Sequence, residues 1–216
     1  NTKVNIIDNN PANNLEFPKT DNRQPVYLTL DEAQSLLEIV NENKNDFFRK
    51  RDYAILTLFL NCGLRLSELV SIDIDKIKGD TLTVVGKGNK ERTIYLNEAC
   101  LEALTDYIKV RPKDTLDEKA LFLSKRKNRI STRAVQHMID KYLQMSGLDT
   151  SIYSTHKLRH TAATLMYKYG NVDIRALQEI LGHENVSTTQ IYTHIDDDRL
   201  REAVKSNPLS KNKKKR

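Results

Sequence analysis

Cysteine is nearly absent: only Cys62 and Cys100 occur in 216 residues. Both sit in apolar patterns, so two buried free thiols in a reducing compartment are expected rather than a disulfide framework or a cysteine-based metal site. Long apolar runs are absent too. The longest, Ala54 to Leu60, is interrupted by Thr57 and is far too short to cross a bilayer, so no membrane partner is expected. The start is polar and shows no secretory leader. It opens on Asn rather than Met, which reads as a fragment or a processed chain. No internal repeat is visible. What remains is a soluble globular chain, 38% hydrophobic and 30% charged, long enough to bury a substantial core.

The net charge is +6, but five positive charges fall in the last six residues, Lys211 to Arg216, leaving about +1 for the rest. Local runs are therefore more informative than the total. Lys125, Arg126, Lys127, Arg129 and Arg133 follow one another with no acidic residue between them. Thr150 to Val172 also lacks acids and carries His156, Lys157, Arg159, His160 and Lys168. Taken alone, each run reads as a solvated face before it reads as a nucleic-acid contact.

Residues 1–27 contain Pro11, Pro18 and Pro25 with many Asn and little apolar periodicity, the pattern of a linker. Thr29 to Glu32 has the spacing of a helix capping box ahead of the stripe Ala33, Leu36, Leu37, Val40. A central helix is predicted from about Phe47 to Cys62, stopped by Gly63. The period then changes. Thr81–Val85 and Arg92–Leu96 read as a hairpin around a glycine-rich turn, with Leu121–Leu123 as a possible third strand. Helical stripes follow at Cys100–Ile108, Val135–Leu143, His156–Tyr169, Asp173–Leu181 and Leu200–Lys205. A second capping box, Ser187 to Gln190, puts Tyr192 on a short helix. The expected fold class is mainly α with a small three-stranded antiparallel sheet (α+β).

The chemistry concentrates between residues 155 and 192. His156, Arg159 and His160 share one helix face, which is expected to meet solvent or an anion because a cationic face pressed on a core is costly. The two histidines have the spacing of a zinc pair, but the sequence is H-K-L-R-H and lacks the glutamate of a zinc-protease helix. His183 lies just past a helix end, and Tyr192 comes nine residues later. Far upstream, Arg65 directly follows the central helix, with Glu68 three residues on to orient it.

Together the motifs G-L-R-L-S-E-L (63–69), G-K-G-N-K-E-R (86–92), H-K-L-R-H-T (156–161) and L-G-H-E-N (181–185), followed by Tyr192, resemble the tyrosine recombinase (phage integrase) family, most closely its bacterial Xer-like members. The resemblance covers about Pro25 to Pro208. It implies catalytic arginines at Arg65 and Arg159, a catalytic lysine at Lys87, active-site histidines at His156 and His183, Tyr192 as nucleophile and Glu68 as support for the first arginine. It implies a double-stranded DNA recombination site as partner, contacted by Lys90, Arg92, Lys125, Arg126, Lys127, Arg129, Arg133, Lys157 and His160. It further implies a homo- or hetero-tetramer on DNA, a cytoplasmic, nucleoid-associated setting in a bacterium, and no cofactor, neither metal nor ATP. The expected organisation is 1–27 as linker from a missing N-terminal core-binding domain, 28–195 as catalytic domain, 196–208 as an exchange helix and 209–216 as a basic tail. The stripe Leu200, Ala203, Val204 is an expected oligomer contact, with docking on its own domain left open.

Cleaving a phosphodiester builds negative charge on the non-bridging oxygens, which preorganised cations and N–H donors stabilise. Arginine suits this through its planar, permanently charged fork. A tyrosine hydroxyl, with a pKa of about 10, needs a base and a positive field before it attacks. His156 is the better candidate for the base, and Lys87 for the acid that protonates the departing 5′ oxygen. The resemblance implies a 3′-phosphotyrosyl intermediate, which keeps the bond energy, so rejoining needs no ATP. Two alternatives stay open: a type IB topoisomerase-like nicking-closing enzyme, and a catalytically silent DNA-binding regulator of the same fold.

Overall fold

A computed structural model of the chain describes residues 26–86, 91–170, 172–181 and 197–211. The order of elements is α1 (Leu30–Val40), α2 (Asp46–Cys62), α3 (Leu66–Ser71), a 3-10 turn (Ile74–Lys76), β1 (Ile77–Lys78), β2 (Thr81–Val85), β3 (Glu91–Tyr95), α4 (Glu98–Val110), α5 (Thr132–Met145), α6 (Thr155–Gly170), α7 (Ile174–Leu181) and α8 (Asp197–Lys205). The strands form one antiparallel sheet in the order β1-β2-β3, with Ile77 opposite Leu82 and Val84 opposite Arg92. Among the described residues, no helix is long and apolar enough to cross a membrane.

The expected mainly helical fold with a small three-stranded sheet is what forms, but its third strand lies elsewhere. Leu121–Leu123 is buried and makes only isolated bridges at its flanks, Asp73 to Ala120 and Leu123 to Arg129. The third strand is instead Ile77–Lys78, too short to leave an alternating pattern.

Helix α1 starts where the capping box predicts. The Thr29 hydroxyl accepts from the Glu32 N–H, and the Glu32 carboxylate accepts from the Thr29 N–H at 2.7 Å. Helix α2 is the axle of the domain. Ala54, Ile55, Leu56, Leu58, Phe59 and Leu60 are all fully buried, against α1, α4 and α6 among others. Each large side chain of this kind contributes about 1.5–3 kcal/mol by leaving water. Gly63 ends the helix in the left-handed region, at φ 59°. A side chain there would be strained, and its Cβ would meet Leu181 Cδ2 at 2.7 Å, so the end of α2 is pressed against the end of α7. Cys62 and Cys100 are free thiols, with Sγ atoms 3.6 Å apart where α2 meets the start of α4.

A second, smaller apolar cluster joins Tyr95, Ala162, Met166, Val172, Ala176, Leu177 and Ile180 to Leu200, Ala203 and Val204. Of the two dockings the sequence left open, this chain shows the one on its own domain: the α8 stripe is buried there, with Val204 only 2% exposed. A nine-residue helix cannot hold itself together alone, and the apolar faces of α6 and α7 lie within reach. Polar contacts fix the seat. Arg201 donates to Asp80 at 3.1 Å and lies over the Tyr95 ring. Asn97 donates to the Val204 carbonyl, Asn207 to the Leu60 carbonyl, and the Ala99 N–H to the Ser210 carbonyl. Residues 206–208, expected in an exchange helix, and Leu209 and Ser210, expected in a basic tail, are thus stitched to α2 and α4.

Replacing Leu200 and Val204 together by aspartate puts two carboxylates into this cluster. The variant should unfold in urea with a free energy lower by about 3 kcal/mol or more. A midpoint equal to that of the parent protein would show that α8 does not rest on its own domain in solution.

Candidate active site

The site is built where three segments meet: the break after α2, strand β3, and the end of α7. Gly63 turns the chain out of α2, and Leu64 plugs the core. Arg65 then takes an extended conformation and serves as N-cap of α3. A capping arginine has no side-chain acceptor for the helix N-terminus. The third residue, Glu68, compensates by reaching back, and its Oε2 accepts from the Arg65 N–H at 2.7 Å. The same carboxylate accepts from Arg65 Nη1 through Oε1 at 2.8 Å. Arg65 is therefore fixed at both its backbone and its guanidinium by one residue.

Arg92 completes the arrangement from β3. Its Nε donates to Glu68 Oε1 at 3.0 Å and its Nη2 to Oε2 at 2.8 Å, a fork-on-fork pair. The third nitrogen, Nη1, donates to the Ile180 carbonyl at 2.6 Å. Glu68 is fully buried. Burial pushes its carboxyl up, but the hydrogen bonds and charge of Arg92, together with Arg65, outweigh that and hold it below the ordinary carboxylate range.

Arg159 approaches from α6. Its Nη1 donates to the Gly63 carbonyl at 2.5 Å and its Nη2 to the Leu181 carbonyl at 2.6 Å. It is only 6% exposed, which corrects the expectation of an open cationic face on α6: Arg159 turns inward, while His156 and His160 stay exposed. The cost of burying the guanidinium is offset because both carbonyls sit at helix C-termini, where acceptors are otherwise unpaired and the helix dipole favours a cation. Burial first, then the charges of Arg65 and Arg92, bring its pKa down to about 10, so it remains charged at neutral pH.

His156 stands on the first turn of α6, beside half-buried Lys157. His160 is pushed below its ordinary value by burial first, then by Lys157 and His156. Among the described residues, no group of three His, Cys, Asp or Glu side chains gathers around this pair or elsewhere. Lys87, Lys90, His183 and Tyr192 lie outside the described residues.

Of the basic run, Lys125, Arg126 and Arg133 are exposed. The other two members are paired within the protein. Lys127 pairs with Asp114. Arg129 pairs with Asp73 at 2.5 Å and Asp117 at 3.0 Å and also donates to the Val70 and Ile72 carbonyls. The run lacks acids in sequence, but the fold brings acids to it from outside. Arg92 is engaged in the same way, since all three of its nitrogens have protein partners. Its position was readable: on a strand it shares a face with Ile94, which is 3% exposed, so it points inward.

Two guanidinium groups thus share one carboxylate, and Arg159 lies near enough to feel the charges of all three, leaving net positive charge at a spot where Arg65 keeps 35% of its side chain exposed. Chemically, such an arrangement can receive an oxyanion with little rearrangement.

A family model described as the phage integrase family matches residues 26–199. The tyrosine recombinase XerC of Caldanaerobacter subterraneus subsp. tengcongensis is 62% identical over 209 residues, which cover 96% of this chain and 58% of that protein. The XerC of Shewanella amazonensis is 41% identical, covering 90% of this chain and 64% of that one. The chain therefore spans about three fifths of the length of these curated relatives. Among solved structures, a XerA recombinase is similar with a TM-score of 0.66 and 36% identity, over 82% of this chain and 63% of that one. A XerH recombinase bound to its difH substrate also scores 0.66, at 26% identity, over 84% of this chain and 54% of that one.

Glu68→Gln should cost about 3–5 kcal/mol at neutral pH, because it leaves the arginines without their counter-charge. The sign with pH follows from the depressed carboxyl. Its stabilisation is full above the ordinary value of 4.5 and is lost as pH falls through the lower folded value. In urea unfolding followed from pH 7 downwards, the gap between parent and variant should therefore narrow only below about pH 4.5. A gap that is small throughout would remove Glu68 as the anchor.

Proposed function

The chain belongs to the phage integrase family, and on that premise we propose that it cleaves and rejoins DNA strands at a specific site through a 3′-phosphotyrosyl intermediate on Tyr192. The observation that carries the proposal is that Arg65 and Arg159 lie near enough for their charges to interact, each preset by protein acceptors. In this proposal the two arginines bind the non-bridging oxygens of the scissile phosphate and stabilise the charge that builds there. His183 joins them. His156 assists deprotonation of the Tyr192 hydroxyl, which attacks phosphorus as the bond to the 5′ oxygen breaks, and Lys87 supplies the proton that oxygen takes up. Reversal, with a 5′ hydroxyl of another strand as nucleophile, rejoins the DNA. The charge is supplied by side chains, so neither metal nor ATP takes part.

Exchange between two duplexes requires cleavage of four strands, and so the proposal includes a tetramer of identical or related subunits on paired sites. With chromosomal or mobile DNA as substrate, the setting is the bacterial cytoplasm, in association with the nucleoid. The exposed Lys125, Arg126, Arg133 and His160 and the half-buried Lys157, together with Lys90, supply backbone contacts, and binding should weaken steeply with salt. Residues 1–27 act as the linker to a core-binding domain, 28–195 as the catalytic domain on which α8 and residues 206–210 are seated, and 211–216 as a basic tail.

The test is covalent capture. The protein is mixed with a pool of randomised duplexes, quenched in detergent, and the protein-linked DNA is recovered and sequenced. We expect an adduct at a defined sequence, with a free 5′ hydroxyl on the released strand, formed equally well in EDTA. Tyr192→Phe should bind the same duplex and reduce the adduct to background. An undiminished adduct with that variant would exclude Tyr192 as nucleophile.

A further inference from the structure

Arg92 is absorbed by nothing in the chemistry just described, yet it is among the most fully engaged side chains of the site. Its three nitrogens reach three different acceptors: both oxygens of Glu68 and the carbonyl of Ile180. Its side chain is 16% exposed, against 35% for Arg65. Three of its five N–H groups are thereby engaged, and little of its surface is left to meet a phosphate.

Each Glu68 oxygen receives one bond from Arg65 and one from Arg92. Oε1 takes Arg65 Nη1 and Arg92 Nε, while Oε2 takes the Arg65 N–H and Arg92 Nη2. The carboxylate is thereby shared evenly. Without Arg92 its whole charge would fall on Arg65, which would be drawn toward Glu68 and have less field to offer an incoming anion. The Ile180 bond has a second effect. Ile180 and Leu181 are the last residues of α7, and their carbonyls are held by Arg92 and Arg159 respectively. Arg92 therefore ties β3, the start of α3 and the end of α7 into one unit.

We infer that Arg92 is a positioning residue for the reaction. Through the Glu68 carboxylate it sets the orientation and available charge of Arg65, and through the Ile180 carbonyl it fixes the end of α7, without touching the DNA. The inference rests on the proposed strand cleavage, which it deepens by naming what presets the phosphate-binding arginines. A lysine cannot replace it, because one ammonium does not span two carboxylate oxygens and a carbonyl at these angles.

The experiment uses the full chain and the duplex recovered by covalent capture, with Arg92→Met, Arg92→Lys, Glu68→Gln and the Arg92→Met/Glu68→Gln double variant. At saturating DNA, single-turnover adduct formation should slow at least about 10-fold in Arg92→Met. Arg92→Lys should recover only part of that loss. Affinity and its salt dependence should match the parent, and the double variant should be little slower than the slower single one. A lost DNA contact would give the reverse: a salt slope smaller by about one, with the saturated rate intact, and that result would overturn the inference. So would fully additive losses in the double variant. Carbon-13 titration of the Glu68 carboxyl provides a readout that needs no DNA. Its pKa should rise in Arg92→Lys, a variant that keeps the charge and so the fold, and rise further in Arg92→Met. An unchanged titration would overturn the inference. If the parent protein forms no adduct with any duplex, the proposed function fails, and the inference falls with it as a statement about catalysis.

Discussion

One buried carboxylate holds the site together. Glu68 has no access to water, and an ionised carboxylate in that position is tolerable only if its oxygens are fully used. They are, by four donors from two arginines on separate elements. Buried ion pairs add little net stability over a well-packed apolar alternative, but breaking one is costly. What Glu68 gains for the protein is therefore position. It forces α3 to begin at Arg65, pins β3 to that start, and through Arg92 reaches the end of α7.

Arg159 solves the converse problem. A guanidinium this deep needs acceptors, and the only abundant unpaired ones in a helical protein are the carbonyls of helix C-termini. The ends of α2 and α7 meet closely enough at Gly63 for one arginine to serve both. The result is a guanidinium whose orientation is set in folding. On the proposed chemistry, little reorganisation is then left for the moment when charge develops on the phosphate.

Much of this was legible in the sequence. The capping box at Thr29, the stop at Gly63 and the apolar stripes of α4 and α5 obey local rules, and the structure follows them closely. Arg65, Glu68, Arg92 and Arg159 could be picked out by motif, and the fold gathers them. What could not be read depends on partners distant in the chain. The burial of Arg159 needs carbonyls from residues 63 and 181. The neutralisation of Arg129 needs Asp73 and Asp117. The cis seat of α8 needs surfaces of α6, α7 and β3 that no local pattern reveals. The third strand was misplaced because Leu121–Leu123 is β-prone and buried, while Ile77–Lys78 is two residues long and pairs only through its hairpin with β2.

The central claim is that these arginines act by neutralising charge on a DNA phosphate. The most direct test replaces one non-bridging oxygen of the scissile phosphate by a methyl group, so that the linkage is neutral before attack. The account predicts that Arg65→Ala and Arg159→Ala, each slowed about 10²-fold or more on the native phosphate, lose far less on the methylphosphonate. Equal penalties on the two linkages would mean that the arginines do something other than hold phosphate charge, and would contradict the account at its base.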